Sequence, residues 1–224
     1  MSESIRIAKN DEHELRWGGL IMDPRQDIDD RWGTVASEEG DNVSWLASIR
    51  VGNDQGRDGA CALFAIASWA QAKLNVSIPD GRRLDLYSKT VWKLKRRIDG
   101  GLTMPEAFQA AHKAGWLPGC TALRAVRDLA ALRDQPVIAG YMVTPAWDMH
   151  RVQRQTGCLD HSAEFSPTGR HAVVIVAKGR IDSVRKNKWV YIENSWGLRW
   201  GYKGIGIMNY ELHSQLIRGL WVIE

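Results

Sequence analysis

The chain has 224 residues, 44% hydrophobic and 25% charged, which is enough for one globular unit with its own core. Its 30 Lys and Arg against 26 Asp and Glu give a net charge of +4, without the basic stripe of a nucleic-acid-binding protein. No apolar run approaches the roughly 18 residues of a membrane span, and the polar first ten residues lack the apolar core of a secretory signal. We therefore expect a soluble, cytoplasmic protein that binds neither nucleic acid nor membranes, with export by a leaderless route left open. The sequence does not indicate an oligomeric state.

Residues 1–44 form a polar amino-terminal arm, interrupted at Met22-Asp23-Pro24, which we predict to be irregular. Ten extended residues reach roughly 33 Å, so an arm of this length could cross a cleft and act as a lid on a site. It could equally wrap the back of the fold as a structural strap. Both alternatives remain open from the sequence.

The first half of the chain is predicted to be mainly helical. The run Cys61–Leu74 is apolar on nearly every side and contains neither Gly nor Pro, which predicts a buried helix. Asp58 and Gly59, just before it, suit a cap or a turn. Further helices are predicted at about 86–97, 105–113 and 125–132.

The second half is predicted to be mainly β-structure. Its short runs are rich in β-branched and aromatic residues and are separated by Gly, Asn or Lys; they span 137–143, 171–177, 189–193, 204–208 and 216–223. Helices followed by strands predict an α+β fold with two lobes, a helical lobe at about 56–135 and a β lobe at about 136–224. A cleft between two such lobes is a natural place for a site.

Cys61 stands where a cysteine can become reactive. Taken alone, it would be a small core residue, but in the first turn of a helix the macrodipole and the unpaired N–H groups favour the thiolate. Gln55 lies six residues earlier in a glycine-punctuated loop that could fold its amide back toward the helix start. There it could donate to an oxyanion beside the N–H of Cys61.

His171 and Asn194 lie at the ends of two predicted strands. A histidine at such a place is often structural. If the two strands are neighbours, however, the amide oxygen of Asn194 would fix the tautomer of the imidazole, and Trp196 could shield that hydrogen bond from water. A thiolate beside an imidazolium is the activated state that this arrangement supports.

Four segments resemble motifs of the papain family of cysteine peptidases, in the same order and from about residue 45 to the C-terminus. They are the run from Asp54-Gln55-Gly56 to Cys61-Ala62-Leu63-Phe64-Ala65, then Asp99-Gly100-Gly101, then Gly169-Arg170-His171-Ala172, and then Asn194-Ser195-Trp196-Gly197 with Trp200-Gly201 and Gly204. The resemblance implies the two-lobed papain-like fold, with the site in the cleft and a protein or peptide as substrate. It also implies these site residues: catalytic Cys61, His171, Asn194 and Gln55, and substrate-binding Gly100, Gly101 and Trp196.

The sequence departs from the family pattern in several places. The family signature has a cysteine three residues before the nucleophile and an aromatic residue just after it; here those positions hold Asp58 and Ala62. His171 lies 110 residues after Cys61, and Asn194 lies 133 residues after it, whereas the family separations are about 130–150. The shorter separation implies shorter loops between the lobes. The resemblance places the partner of the missing cysteine at Ile98, so both members of that disulfide are absent. Ala62 leaves part of the cleft floor smaller, and substrate preference is not readable.

The number of cysteines does not suggest a disulfide framework. The three cysteines are Cys61, Cys120 and Cys158, and an odd number predicts free thiols and a reducing compartment. One alternative groups Cys158 with Asp160, His161 and His150 as metal ligands, but their spacing fits no zinc pattern well. We therefore expect neither a metal nor a cofactor.

The expected reaction is hydrolysis of a peptide bond through a thioester on Cys61, with His171 as general acid and base. Alternatives are a specialised isopeptidase or amidase, or transfer of the acyl group to an amine. A papain-like binding module that has lost catalysis is the alternative outside the enzymes. Against it, all four mechanistic positions hold functional residue types. The sequence does not separate endopeptidase from exopeptidase.

Overall fold

The computed structural model describes residues 43–97, 100–148, 152, 157–159, 165–180 and 188–224. The predicted arm, lid or strap, therefore lies outside the described residues except for its last two, Val43–Ser44, which form strand β1. Of the positions discussed above, Ile98, Asp99, His150, Asp160 and His161 also lie outside the described residues.

Four helices lie within the described residues: α1 (Cys61–Leu74), α2 (Asp80–Lys93), α3 (Met104–Lys113) and α4 (Tyr210–Leu216). In this part of the chain, none has both the length and the hydrophobicity to cross a lipid bilayer. The predicted buried helix is confirmed as α1, which ends at Asn75 in the left-handed conformation (φ 56°). Its N-cap is Ala60, so Asp58 belongs to the bend before the helix and does not cap it.

Two of the other helix predictions need correction. The helix expected at 86–97 begins at Asp80, directly after Pro79, and ends at Lys93, because Lys95 takes a left-handed conformation (φ 54°). The segment 125–132 is not an α-helix, since Leu123–Val126 is strand β2 and Ala130–Arg133 is a 3₁₀ turn. The helix expected at 105–113 is confirmed as α3, which a capping box of Thr103 and Glu106 starts.

The strands form one antiparallel sheet. They are β2 (Leu123–Val126), β3 (Val137–Val143), β4 (Gly169–Arg180), β5 (Lys188–Glu193), β6 (Ile205–Asn209) and β7 (Ile217–Ile223). Their order is β2-β7-β3-β4-β5-β6, and β1 pairs with β4 as well. All five predicted strands are present, with β4 longer than expected. The neighbouring positions of β4 and β5 bring the start of one strand close to the end of the other, because the two run antiparallel.

The sheet separates two apolar cores. Alternate residues of β4 point to opposite faces. Ala172, Val174 and Val176 belong to the core that contains α1, whereas Val173 and Ile175 belong to the core on the other face. The helices α1, α2 and α3 supply the rest of the first core, and the aromatic residues Trp147 and Trp200 contribute to the second. The α+β architecture is therefore as predicted.

Neither edge of the sheet exposes a long unpaired strand within the described residues. Residues 157–159 run along the outer edge of β6, where Ile207 N–H donates to Gly157 O at 2.7 Å and Leu159 N–H donates to Ile207 O at 2.9 Å. The opposite edge strand, β2, has only four residues and carries Arg124, which is ion-paired with Glu224 at 2.6 Å.

Candidate active site

Cys61 lies at the junction of a helix start and a strand start. It is the first residue of α1 and has no exposed surface. Ala60 provides no side-chain cap, so no capping side chain takes up the N–H groups of the first turn. The N–H groups of Ala172, Ala62 and Cys61 itself hydrogen bond to the thiol. The thiol of α1 therefore lies against the backbone at the start of β4, at the residue that directly follows His171.

His171 and Asn194 are in direct contact. His171 Nε2–H donates to Asn194 Oδ1 at 2.7 Å, and both side chains are fully buried. Because an amide oxygen only accepts, this bond places the proton of the neutral ring on Nε2. Nδ1 then carries the lone pair, and it has no hydrogen-bond partner among the described residues. The imidazole therefore offers a buried, unpartnered base.

Tryptophan rings enclose this hydrogen bond. The ring of Trp196 lies 4.6 Å from that of His171, centroid to centroid, at an interplanar angle of 34°. Trp147 meets His171 edge-on at 6.2 Å and stacks on Trp200 at 5.9 Å. These rings exclude water from the polar pair, and a hydrogen bond in such a low dielectric is stronger than one in water.

Gln55 is held against the segment that follows Asn194. Its N–H donates to Ser195 O at 2.9 Å, and Gly197 N–H donates to Asn53 O at 2.9 Å. The side-chain oxygen of Gln55 accepts from Ser195 Oγ at 2.6 Å, and its Nε2 donates to Asp58 O at 2.7 Å. These two bonds fix the orientation of the Gln55 amide. The second hydrogen on Nε2 is not used by either bond.

The electrostatics of the site are dominated by burial. Burial raises the pKa of the Cys61 thiol to about 12, although the backbone N–H groups around the sulfur act in the opposite direction. Burial lowers the pKa of His171 to about 4, against the hydrogen bond with Asn194, which raises it. The backbone N–H groups at the helix start act toward the thiolate, but desolvation outweighs them. Burial in the enclosed site therefore favours a neutral thiol and a neutral imidazole over the thiolate and imidazolium pair expected from the sequence.

Gly100 and Gly101 lie on the loop between α2 and α3. Gly101 is buried and has a left-handed backbone (φ 63°), a conformation that favours glycine. All three cysteines are free thiols. Cys158 lies at the edge of β6, while its proposed metal-binding partners lie outside the described residues, so the metal alternative gains no support.

Several polar residues of the site were not identified from the sequence. Ser195 orients Gln55, and Asn53 holds the same loop through its carbonyl oxygen and, by its side chain, through Glu193. In the sequence, Ser195 stands out only as part of the Asn194-Ser195-Trp196-Gly197 motif. The signal that could have identified it is its position among polar residues at the end of a buried strand. Nothing in the sequence indicates that Trp147 contacts His171, because the two meet only through the folded sheet.

The arrangement can perform nucleophilic chemistry. Such chemistry requires a thiol, an oriented base and an amide donor, and these groups are supplied by three separate elements: α1, β4 and the loop before α1. Backbone N–H groups that can stabilise developing negative charge lie around the sulfur.

No protein-family model and no curated protein sequence matches this chain. Solved structures do resemble it. Xylellain, a cysteine protease from Xylella fastidiosa, superimposes with a TM-score of 0.67 at 20% identity, covering 93% of this chain and 96% of its own. Procathepsin L2 from the larval midgut of Tenebrio molitor gives 0.63 at 17% identity, covering 94% of this chain and 78% of its own.

A third similar structure is the proform of the ragweed pollen allergen Amb a 11, also a cysteine protease. Its TM-score is 0.56 at 18% identity, with 88% of this chain and 70% of that chain covered. Identities this low show the fold alone, and the three proteins share one fold over most of their length. This chain therefore has the fold of the papain-like cysteine proteases, in a divergent form without the usual disulfide.

Proposed function

We propose that this chain is a cysteine peptidase that hydrolyses peptide bonds through a thioester on Cys61. The observation that carries the proposal is the 2.7 Å bond from His171 Nε2–H to Asn194 Oδ1, which leaves Nδ1 of His171 as a buried, unpartnered base, one residue before the Ala172 N–H that bonds to the thiol. A binding protein has no need of a buried imidazole held in the one tautomer that can accept a thiol proton.

The reaction proceeds in two halves. The Cys61 thiol gives its proton to His171 Nδ1 while the sulfur bonds to the carbonyl carbon, and the N–H of Cys61 and the free Nε2–H of Gln55 bind the oxyanion. Collapse breaks the C–N bond as His171 returns the proton to the leaving amine. Water then attacks the thioester carbonyl and gives a proton to His171. Collapse breaks the C–S bond as His171 returns that proton to the sulfur, so the products are a carboxylic acid and the restored thiol.

The neutral resting pair fits this scheme. Entry of water into the site reduces the desolvation that keeps Cys61 and His171 uncharged, so that the helix start and the imidazole can favour transfer of the proton. The substrate is a protein or peptide whose backbone lies along Gly100 and Gly101, with Trp196 at the side of the leaving group.

Labelling with an epoxysuccinyl thiol-protease probe, followed by peptide mapping, tests the proposal. We expect covalent label on Cys61 in the native protein, loss of that label after denaturation, and turnover of a fluorogenic peptide library. Cys61→Ala should retain the fold, because alanine fits a buried helix, and should lose turnover. Cys120→Ala is the matched control, since it removes a buried thiol outside the site, and it should keep both. A native protein that neither labels nor turns over peptides would instead be a binding module.

A further inference from the structure

Glu193 is a buried carboxylate that the proposed chemistry does not use. It is the last residue of β5 and directly precedes Asn194. Its Oε1 accepts from Asn53 Nδ2 at 2.7 Å, and the Ser68 hydroxyl also hydrogen bonds to it. Carboxylates are rarely buried to this degree, because leaving water costs several kcal/mol unless partners compensate.

The contacts of Glu193 join the three segments that carry the reactive groups. Ser68 lies two turns along α1 from Cys61, on the helix that carries the thiol. Asn53 opens the loop that carries Gln55, and its side chain bonds to Ser68 Oγ at 3.1 Å as well. Glu193 itself continues into Asn194. One carboxylate thus touches the helix of the nucleophile, the loop of the oxyanion donor and the strand that orients the base.

Arg83 is a second buried charge, on α2. Its guanidinium is fully buried over the ring of Phe64, 5.1 Å from the ring centroid, and its Nε–H donates to Ile78 O at 2.8 Å. Its two terminal nitrogens have no hydrogen-bond partner among the described residues, and Nη1 lies 3.7 Å from Asp80 Oδ1. Arg83 and Glu193 attract each other electrostatically.

Asp80, the first residue of α2, also holds the loop that carries Gln55. Its Oδ2 accepts from the N–H of Asp54 at 3.1 Å, and Asp54 stands between Asn53 and Gln55. The same residue forms an antiparallel bridge with Trp196. Both sides of the loop are therefore fastened, one by the Glu193 side chain and the other by the start of α2.

We propose that Glu193 is a positioning residue of the peptidase site, whose hydrogen bonds with Asn53 and Ser68 hold the Gln55 loop and Asn194 in register across the first core. This inference rests on the proposed function for its kinetic part and on the hydrogen bonds alone for its structural part. Glu193 acts through Asn53 and Asn194, and it does not touch the reacting atoms.

The charge state of the cluster is finely balanced. Burial raises the pKa of Glu193 to about 7, while the bonds from Asn53 and Ser68 and the charge of Arg83 lower it and Asp80 raises it. Burial also lowers the pKa of Arg83, against the charges of Asp80 and Glu193. A group poised in this way responds to the removal of its partner, which makes Glu193 testable by substitution.

Glu193→Gln is the informative variant, because the amide keeps an oxygen for Asn53 and loses only the charge. We expect kcat to fall by about 10- to 100-fold with KM within twofold, since remote misplacement of catalytic groups acts on the chemical step. Asp85→Asn, on the exposed face of α2, is the matched control and should leave kcat unchanged.

Amide hydrogen exchange gives a readout that needs no activity. In Glu193→Gln we expect the Gln55 and Gly197 amides to exchange at least about 10-fold faster, because they donate to Ser195 O and Asn53 O within the fastened loop. Amides that pair β2 with β7 should be unchanged. Where Glu193→Gln does not fold, Asn53→Ala, which keeps the carboxylate and removes its donor, is measured by the same two readouts and should give the same result.

The outcomes separate the two proposals. Faster loop exchange in a protein whose parent cleaves nothing would sink the peptidase proposal and keep Glu193 as a positioning residue. An active parent whose Glu193→Gln variant keeps its kcat and its loop protection would overturn the positioning role alone. Equal loss of protection throughout the sheet would also overturn it, because it would show a merely structural contribution to stability.

Discussion

Ser195 Oγ donates a 2.6 Å hydrogen bond to the side-chain oxygen of Gln55, and both side chains are buried. An amide whose oxygen is held in this way can present its N–H groups in only one direction. The 2.7 Å bond from Gln55 Nε2 to Asp58 O fixes the same plane from the other end. The residue after the orienting asparagine thus also aims the proposed oxyanion donor.

Ser195→Ala should therefore lower kcat by up to about tenfold, since one hydrogen bond contributes roughly 0.5–1.5 kcal/mol. Gln55→Ala removes the donor itself and should cost about 10²–10³ in kcat. Steady-state kinetics on a peptide substrate check the ranking. Ser214→Ala, which removes a hydroxyl bonded to Tyr210 O on α4, is the control and should change kcat by less than twofold. An effect of Ser195→Ala larger than that of Gln55→Ala would contradict the role in aiming the amide.

Asn194→Ala should slow Cys61 labelling and turnover by at least about tenfold. Without Oδ1, nothing holds the proton of His171 on Nε2, and the tautomer with the proton on Nδ1 cannot accept the thiol proton. Nitrogen NMR of the histidine ring measures the tautomer directly. We expect a mixture in the variant and a single Nε2–H form in the parent. A variant that keeps the Nε2–H form and the parental rate would refute the orienting role.

Gly206→Ala should destabilise the fold by about 1–3 kcal/mol through overpacking. A Cβ at this position of β6 would lie 2.4 Å from Cη2 of Trp200, whose ring stacks on Trp147. The melting temperature and the labelling rate of Cys61 should fall together, because Trp200 also packs edge-on against Trp196, at 5.9 Å. Gly81→Ala, in the first turn of α2 with nothing within 4 Å of the new methyl group, should be neutral or stabilising. Equal effects of the two changes would contradict this account.

Stability should fall as the pH drops from about 6.5 to 4.5. Burial lowers the pKa of His171 and of His213 to about 4, so each contributes stability above pH 6.5 that is lost as the pH falls through its folded pKa. Glu193 acts in the opposite sense, since its raised pKa of about 7 stabilises the folded state as the pH falls toward 4.5. The gain from Glu193 offsets the loss from one of the two histidines. The free energy of unfolding should therefore fall with the slope of the other histidine, about 1.4 kcal/mol per pH unit.

His213→Asn isolates this effect. The asparagine offers Tyr141 an oxygen in place of Nδ1, which the hydroxyl meets at 2.6 Å in the parent. We expect the slope of the unfolding free energy between pH 6.5 and 4.5 to become nearly flat, because His171 and Glu193 then offset each other. Urea titrations at several pH values measure it. An unchanged slope would show that His213 does not titrate on unfolding.

The parts of the fold that could be predicted from the sequence are those that local pattern determines. Cys61–Leu74 has no polar face, so only a buried helix suits it, and the apolar runs of β3 and β4 suit only central strands. The predicted helix at 125–132 is wrong because its first two residues belong to strand β2, Leu123–Val126, and a strand of four residues carries little periodicity. Its strand conformation comes from pairing with β7, about a hundred residues away, in the register Leu123↔Ile223.

The residues of the candidate site also fall into those that local sequence pattern identifies and those that only the folded structure shows. Cys61, His171 and Asn194 could be identified because each stands at the end of a predictable element and within a motif. Arg83 and Glu193 could not, because a charged residue in a sequence is expected at the surface, and only the folded core shows that these two lie inside it.

The edges of the sheet have a consequence for behaviour at high concentration. An open strand edge is a template on which a second chain can add its own strand, the first step of ordered aggregation. Here Gly157–Leu159 already occupies the hydrogen-bonding groups of Ile207 on β6, and the opposite edge is a four-residue strand with a charged residue. The folded sheet therefore leaves few unpaired backbone groups on which another copy of the chain could add a strand. We expect concentrated samples to resist fibril formation.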